Sequence, residues 1–303
     1  MTDYILYNPL SNNRRGKQRA ETLRDLLSDG CLAFRDLTKI TDLRGFLAGL
    51  DASARVILCG GDGTLNRFIN ALDGKMPRKN LYYFAAGSGN DFLNDLPEAH
   101  AGEPILLDPY LEDLPWVEVR GQRYCFLNGV GFGIDGYCCQ EGDRLRRKSS
   151  RRTNYTTIAL KGLAYAYKPV NARIRVDGQT REYRKVWLAP SMLGRFYGGG
   201  MMIAPGQDRC GKEGDLTLVV VHDCSKLRIL TAFPTIMNGT HLRYEGIVDV
   251  LTGQDITVTF DRPCALQIDG ETFSDVTEYH AMSGKTARGL GKAGKEQKDG
   301  MKV

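Results

Sequence analysis

Residues 54–72 read Ala-Arg-Val-Ile-Leu-Cys-Gly-Gly-Asp-Gly-Thr-Leu-Asn-Arg-Phe-Ile-Asn-Ala-Leu. The apolar run Val56 to Cys59 predicts a buried strand. It stops at Gly60-Gly61-Asp62-Gly63, after which Leu65, Phe68, Ile69 and Leu72 recur at helical spacing. Glycines at a strand-to-helix turn let the backbone come close to a ligand. The next helix offers unpaired N–H groups and a positive dipole end, which suit phosphate. The loop has no Walker lysine and carries a carboxylate, Asp62, in its middle. A carboxylate beside phosphates repels them unless a cation or water lies between, so the reading is a phosphate site that works through a divalent metal. The bland alternative is a simple connection between two elements of an α/β sheet.

Further motifs lie in order along the chain. Asn8-Pro9-Leu10-Ser11 comes after a first strand, and Ala86-Gly87-Ser88-Gly89-Asn90-Asp91-Phe92 after another. Tyr197-Gly198-Gly199-Gly200-Met201 runs on to Ala204-Pro205, and Asp269-Gly270-Glu271 comes last. Together with Gly-Gly-Asp-Gly-Thr-Leu-Asn, these five segments resemble the diacylglycerol kinase catalytic-domain superfamily. It includes bacterial soluble lipid kinases and the sphingosine and ceramide kinases; NAD kinases and phosphofructokinases carry related first loops. Asn12 stands where the family has glycine, and Ser88 where it has threonine.

The resemblance implies an ATP-dependent, Mg2+-assisted kinase acting on a lipid hydroxyl. It implies a nucleotide site of Asn8, Thr38, Gly60, Gly61, Asp62, Gly63, Thr64, Leu65, Asn66, Gly87, Ser88, Asn90 and Asp91. Asp62 would organise the catalytic magnesium. Glu271 would be the general base, a carboxylate close enough to the acceptor hydroxyl to take its proton; read alone, it is an ordinary solvated turn residue. The implied active site lies in a cleft between an ATP-binding and a substrate-binding domain. Diacylglycerol is the acceptor expected by analogy. A NAD kinase-like enzyme and a non-catalytic nucleotide- or lipid-binding paralogue remain open, the latter because Arg67 stands where the family often has glutamate.

Organisation changes near residue 115. Before it, strands (Tyr4–Tyr7, Val56–Cys59, Leu81–Ala85) alternate with helical patterns such as 19–27, which predicts a doubly wound α/β nucleotide-binding domain, NAD kinase/phosphofructokinase-like, over 1–115. The motifs at Asn8, Gly60 and Gly87 each succeed a strand and are expected to share one sheet edge. Residues 116–275 are strand-rich: 116–119, 124–127, 172–176 ending at Asp177-Gly178, 184–188, 216–221, 256–260 and 265–268. Helices are expected near 155–167 and 227–237, the latter interrupted by Pro234. This half reads as a C-terminal β-sandwich-like domain, and 276–284 is the candidate for a return to the first.

At 303 residues, with 42% hydrophobic and 25% charged, the composition is that of a globular protein of about two domains. No apolar run approaches the ~20 residues that cross a bilayer, and the start shows no signal-peptide pattern. A cytoplasmic protein that meets a lipid at the membrane surface is expected. Eight cysteines without C-x-x-C spacing argue against a disulfide framework or a zinc site. The net charge of +5 owes +4 to residues 285–303, six basic against two acidic, which read as a disordered tail. That tail could graze anionic lipid or simply solubilise the chain. The cluster Arg144-Leu145-Arg146-Arg147-Lys148 with Arg151-Arg152 reads as a solvated helix face rather than a nucleic-acid site, since no recognition module accompanies it.

Gly206 to Lys212 matches G-x-x-x-x-G-K but is no P-loop: Glu213 replaces the magnesium-binding hydroxyl and a strand comes next. The family carries a structural magnesium site here. By resemblance Glu213 is its carboxylate ligand, and Cys210 and Asp215 give carbonyl oxygens, although Lys212 and Glu213 replace the family's two aspartates.

Overall fold

The computed structural model describes residues 2–27, 30–87, 89–96, 102–148 and 155–286. Ser88, Arg151, Arg152 and 287–303 of the expected tail lie outside the described residues. The chain divides into two compact units. The first comprises Met1–Glu112 together with the distant tripeptide Gly198–Gly200; the second takes up the chain from Asp113.

In the first unit, strands β1 (Thr2–Tyr7), β2 (Cys31–Asp36), β3 (Arg55–Gly60), β4 (Leu81–Ala85) and β5 (Ile105–Leu106) form one sheet in the order β2-β1-β3-β4-β5. The first four are parallel and β5 is antiparallel. Helices α1 (Gly16–Glu21), α2 (Leu43–Ala48), α3 (Asp62–Ala71) and the single turn α4 (Asp91–Asn94) connect them. Ile57 and Cys59 of β3 pack with Ile5 and Phe84 from its neighbours. The apolar spacing of 65–72 does what it predicted: Leu65, Phe68, Ile69 and Leu72 are all buried. Parallel strands end on the same side, so Asn8, Thr38, Gly61 and Ala86 all leave the sheet at its carboxyl edge.

The second unit is antiparallel. Its strands are β6 (Trp116–Val119), β7 (Gln122–Cys125), β8 (Gly129–Gly133), β9 (Val170–Val176), β10 (Gln179–Val186), β11 (Leu188–Met192), β12 (Phe196–Tyr197), β13 (Met201–Met202), β14 (Leu216–Val221), β15 (Val248–Gly253), β16 (Asp255–Ile268) and β17 (Glu271–Met282). The main path runs β15-β14-β11-β8-β16-β17-β6-β7, with β9 joining β16 and β10 joining β9. Strand β16 makes the sandwich possible. Its first half pairs with β9 and its end pairs with β8, and the register shifts between Thr259 and Leu266. Pro263 lies in that irregular stretch, where a missing N–H is tolerated. The Asp-Arg-Pro break that separates 256–260 from 265–268 in the sequence is therefore a bulge within one strand.

Between the layers Phe132 stacks on Phe260 at 4.4 Å and meets Tyr279 at 5.4 Å. The other face carries helices α5 (Ile134–Lys148), α6 (Tyr155–Lys161) and α7 (Lys226–Ala232). Strand β14 shows the two-sided burial: Leu216, Leu218 and Val220 face the inter-sheet core while Val219 and Val221 face the second cluster. Pro234 ends α7 as expected, the chain continuing as a 3-10 turn over Phe233–Asn238. Val276–Met282 continues β17, paired with β16 and β6, so this segment belongs to the second unit rather than returning to the first.

Arg144 pairs with Glu141, and Arg146 with Asp143 at 2.5 Å, on the surface of α5. Arg144 and Arg146 are thus exposed and neutralised by acidic residues one turn earlier on the same helix. No disulfide joins the eight cysteines. Burial pushes the thiol of Cys139 up to about 12 and that of Cys138 higher still, so the vicinal pair stays as unreactive thiols at neutral pH.

At the first turn of α5, Asp135 is buried, and burial pushes its carboxyl up to about 7 against the pull of its helix's first amides. A carboxyl that is easier to protonate folded than unfolded loses stability for the protein as pH rises. The loss accumulates between about pH 3.8 and 7. Asp135→Asn removes this titration. Denaturant unfolding at a series of pH values is expected to show the variant gaining on the wild type from pH 5 to pH 8, whereas a constant difference would contradict the assignment.

Candidate functional site

The carboxyl edge of the parallel sheet gathers most of the residues expected at the nucleotide site. Gly60 ends β3, Gly61 is extended, and α3 begins at Asp62, with Thr64 N–H and Leu65 N–H both returning to the Gly61 carbonyl at 2.9 and 3.1 Å. The N–H groups of Asp62 and Gly63 precede the first intrahelical bond and face the helix's positive end. Asn8 Nδ2 donates to Thr64 Oγ1 at 3.2 Å, while Asn8 Oδ1 accepts from Leu10 N–H at 2.9 Å. The post-β1 turn is thereby tied to the glycine loop. Thr38 comes after β2 at the same edge and donates its hydroxyl to Asp36 Oδ1 at 2.7 Å.

The two glycine loops meet backbone to backbone. A Cβ on Gly87 would lie 2.7 Å from Gly61 Cα, and one on Gly61 would lie 3.0 Å from Gly87 Cα. A side chain at Gly87 would force the two backbones apart, and one at Gly61 would crowd them. The contact puts the turn after β4 within reach of Asp62. Its carboxylate accepts Asp91 N–H on Oδ2 and Phe92 N–H on Oδ1, both at 3.0 Å. Asp62 thus caps helix α4, which Asn90 enters with positive φ. Asp91 repeats the device: its carboxylate accepts Gly199 N–H at 2.9 Å and Gly200 N–H at 2.6 Å. Asp91 is expected at the nucleotide; in the structure its carboxylate holds the third glycine segment, 108 residues further along the chain.

Other expected residues play quieter parts. Leu65 is wholly buried in the core, so only its backbone belongs to the loop. Asn66 is buried, and its carbonyl and Oδ1 accept from Asn70 Nδ2. The oxygens of Asp62 each keep a lone pair after accepting one amide. A carboxylate with that spare capacity fits a hydrated Mg2+ held through water, the usual mode when phosphates supply the remaining ligands.

In the second unit, Asp269 and Gly270 form the two-residue turn of the β16–β17 hairpin, with Ile268 paired to Glu271. Both turn residues have positive φ, the primed-turn geometry of tight hairpins. Glu271 is half-buried at the start of β17. The carboxylate of Asp269 accepts three amides: Leu127 at 2.7 Å, Asn128 at 2.8 Å and Gly129 at 2.9 Å. Arg209 holds the same loop through the Leu127 carbonyl at 3.0 Å and Asn128 Oδ1 at 3.1 Å. The hairpin tip bearing Glu271 is therefore fixed by a carboxylate and a guanidinium to which the sequence alone assigns no role.

The residues expected at the structural magnesium site do not fit a metal. Glu213 projects as an exposed side chain, and its carbonyl accepts from Gln254 Nε2 at 2.9 Å. The carbonyl of Asp215 accepts from Gln207 Nε2 at 2.9 Å, and Asp215 Oδ1 from Gln254 Nε2 at 3.1 Å. Cys210 is exposed and its N–H donates to Asp208 Oδ1. Among the described residues no group of three His, Cys, Asp or Glu could hold a metal ion.

A strand-to-helix glycine loop at a parallel-sheet edge thus comes first in the chain and an antiparallel sandwich after it. The diacylglycerol kinase catalytic domain matches residues 3–106, and the YegS C-terminal NAD kinase beta sandwich-like domain matches residues 128–285, more than half of the chain. The protein belongs to the diacylglycerol kinase catalytic-domain family. Over 238 residues it is 26% identical to YtlR of Bacillus subtilis, provisionally named a lipid kinase, covering 72% of this chain and 74% of that one. It is 27% identical over 216 residues to a protein named diacylglycerol kinase from Mycobacterium tuberculosis, covering 68% of each. A crystal structure from Bacillus anthracis, provisionally described as a diacylglycerol kinase, shares the fold with a TM-score of 0.64 at 19% identity and 93% coverage of both chains. No helix among the described residues is long and apolar enough to cross a membrane.

The Asp91 clamp is open to direct test. Asp91→Asn keeps the shape but turns an amide donor toward one of two backbone donors, and a hydrogen bond to a charged group is worth about 1.5–3 kcal/mol. Amide hydrogen exchange at Gly199 and Gly200 is expected to accelerate in this variant. Unchanged protection there would contradict the clamp.

Proposed function

We propose that the protein transfers the γ-phosphoryl group of ATP to the hydroxyl of a lipid, with diacylglycerol the leading acceptor and phosphatidic acid the product. The observation that carries this reading is the glycine loop 60–64, seated on the first turn of α3 and locked by Asp62 to the second loop. Phosphoryl transfer asks the protein chiefly for positioning and charge neutralisation. We assign phosphate binding to the amides of Gly61, Asp62 and Gly63 and to the Thr64 hydroxyl, with Asn8, Thr38, Asn66, Gly87, Ser88 and Asn90 completing the nucleotide site. Magnesium, when bound with ATP, would neutralise charge on the β- and γ-phosphates, with Asp62 holding it through water.

Glu271 is the proposed proton acceptor for the attacking hydroxyl. Asp269 and the Leu127–Gly129 amides support that role by fixing the hairpin from which Glu271 projects. Diacylglycerol is favoured by the name that the mycobacterial relative bears. A lipid acceptor would place the enzyme in the cytoplasm, in peripheral contact with the bilayer.

Two variants test the assignment. Glu271→Gln keeps the shape and removes the base, and is expected to lower kcat by about 10²–10⁴-fold, the usual contribution of general base catalysis, with KM for ATP little changed. Asp62→Asn is expected to lower kcat/KM for ATP strongly. Near-normal turnover of diacylglycerol by either variant would remove that residue from the mechanism, and NAD phosphorylation by the wild type would redirect the substrate assignment.

A further inference from the structure

We propose that the loop 211–215 carries its own cation, the ammonium of Lys285, where the family resemblance implies a divalent ion. Five consecutive carbonyls of this loop are each met by a side-chain donor from elsewhere in the second unit. Lys285 Nζ donates to the Gly211 carbonyl at 2.7 Å and also to the Lys212 carbonyl. Gln254 Nε2 takes Glu213 at 2.9 Å, Ser283 Oγ takes Gly214 at 2.7 Å, and Gln207 Nε2 takes Asp215 at 2.9 Å.

Such a row of carbonyls concentrates partial negative charge, which donors or a cation offset. An ammonium brings three donors and a full positive charge on a flexible stem, which suits two adjacent carbonyls. The backbone makes room for that stem. A Cβ on Gly214 would lie 2.8 Å from Lys285 Cδ and 3.0 Å from Lys285 Cγ. Thr286 adds a hydroxyl hydrogen bond to Gln254 Oε1, and Ser283 N–H donates to the Gln254 carbonyl at 2.8 Å. The segment 283–286 is thus stitched to the loop and to Gln254 beside it. Composition assigns Lys285 to a disordered tail; in the structure it is held by the loop.

A divalent ion wants several oxygen ligands, carboxylates among them. Here the carbonyls are engaged, the carboxylate expected to bind it, Glu213, is exposed, and an ammonium already sits against the cage. A second cation a few ångströms from it would be repelled. The departure from two aspartates to Lys212 and Glu213 therefore coincides with a covalently attached replacement. This loop holds its shape independently of Mg2+ or Ca2+.

The test uses the full chain without nucleotide, so that stability rather than turnover is read and the outcome is separate from the kinase assignment. After dialysis against EDTA, the wild type is expected to contain no stoichiometric divalent metal. Its Tm should be the same in EDTA, MgCl2 or CaCl2 at matched ionic strength. Lys285→Met is expected to lower Tm by roughly 3–8 °C through loss of two charge-assisted bonds. Gly214→Ala should lower it as well, through the strain of a side chain at positive φ and displacement of the lysine stem. A wild-type Tm that falls in EDTA and recovers with Mg2+ or Ca2+ would overturn the proposal, as would a metal-free Lys285→Met protein melting with the wild type. Should Lys285→Met yield no folded protein, the wild-type comparison with and without chelator decides by itself.

Discussion

An aspartate carboxylate gripping the backbone amides of a distant loop is the interaction on which this structure depends. Among the motif loops it recurs: Asp62 on Asp91 and Phe92, Asp91 on Gly199 and Gly200, and Asp269 on Leu127, Asn128 and Gly129. Each grip solves the same problem. A glycine-rich loop that leaves its amides free for a ligand has little side-chain packing to hold it in place, so its position must come from hydrogen bonds. A carboxylate can accept from two or three amides at once, and such charge-assisted bonds are about twice as strong as neutral ones. The motifs that look like ligand-binding signatures are, in the protein alone, signatures of mutual loop support.

Much of the fold can be read from the sequence because its elements carry clean periodicity. Val56–Cys59 with Leu65, Phe68, Ile69 and Leu72 announce β3 and α3, and Leu216–Val221 announces β14 with its ends correct. Asp177-Gly178 announces a hairpin, found between β9 and β10. What escapes is structure without apolar alternation. Strand β8, Gly129–Gly133, is mostly glycine and is buried only because neighbours cover both faces. The exposed positions of β17 disguise its first half, and the bulge at Pro263 disguises the continuity of β16.

For the candidate site, the residue types are legible and their partners are not. Asn8, Gly60, Gly87 and Asp91 can be assigned to one sheet edge because the loops that leave parallel strands all emerge on one side. Nothing in the spacing tells that Asp62 and Asp91 turn their carboxylates on neighbouring loops, or that Asp269, beside the more conspicuous Glu271, anchors the hairpin. The surroundings of Glu213 are hidden for a related reason. The donor to the neighbouring carbonyls, Lys285, lies far downstream in a segment whose composition suggests no structure.

The family membership bounds the chemistry to phosphoryl transfer and leaves the acceptor to the site. The measurement that tests the central claim most directly is incubation of the purified protein with γ-labelled ATP, magnesium and a total lipid extract, and then mass identification of the species that carries the label. The expected product is a labelled lipid monophosphate, phosphatidic acid foremost. Label found only in NADP or free phosphate, with every lipid unmodified, would contradict it.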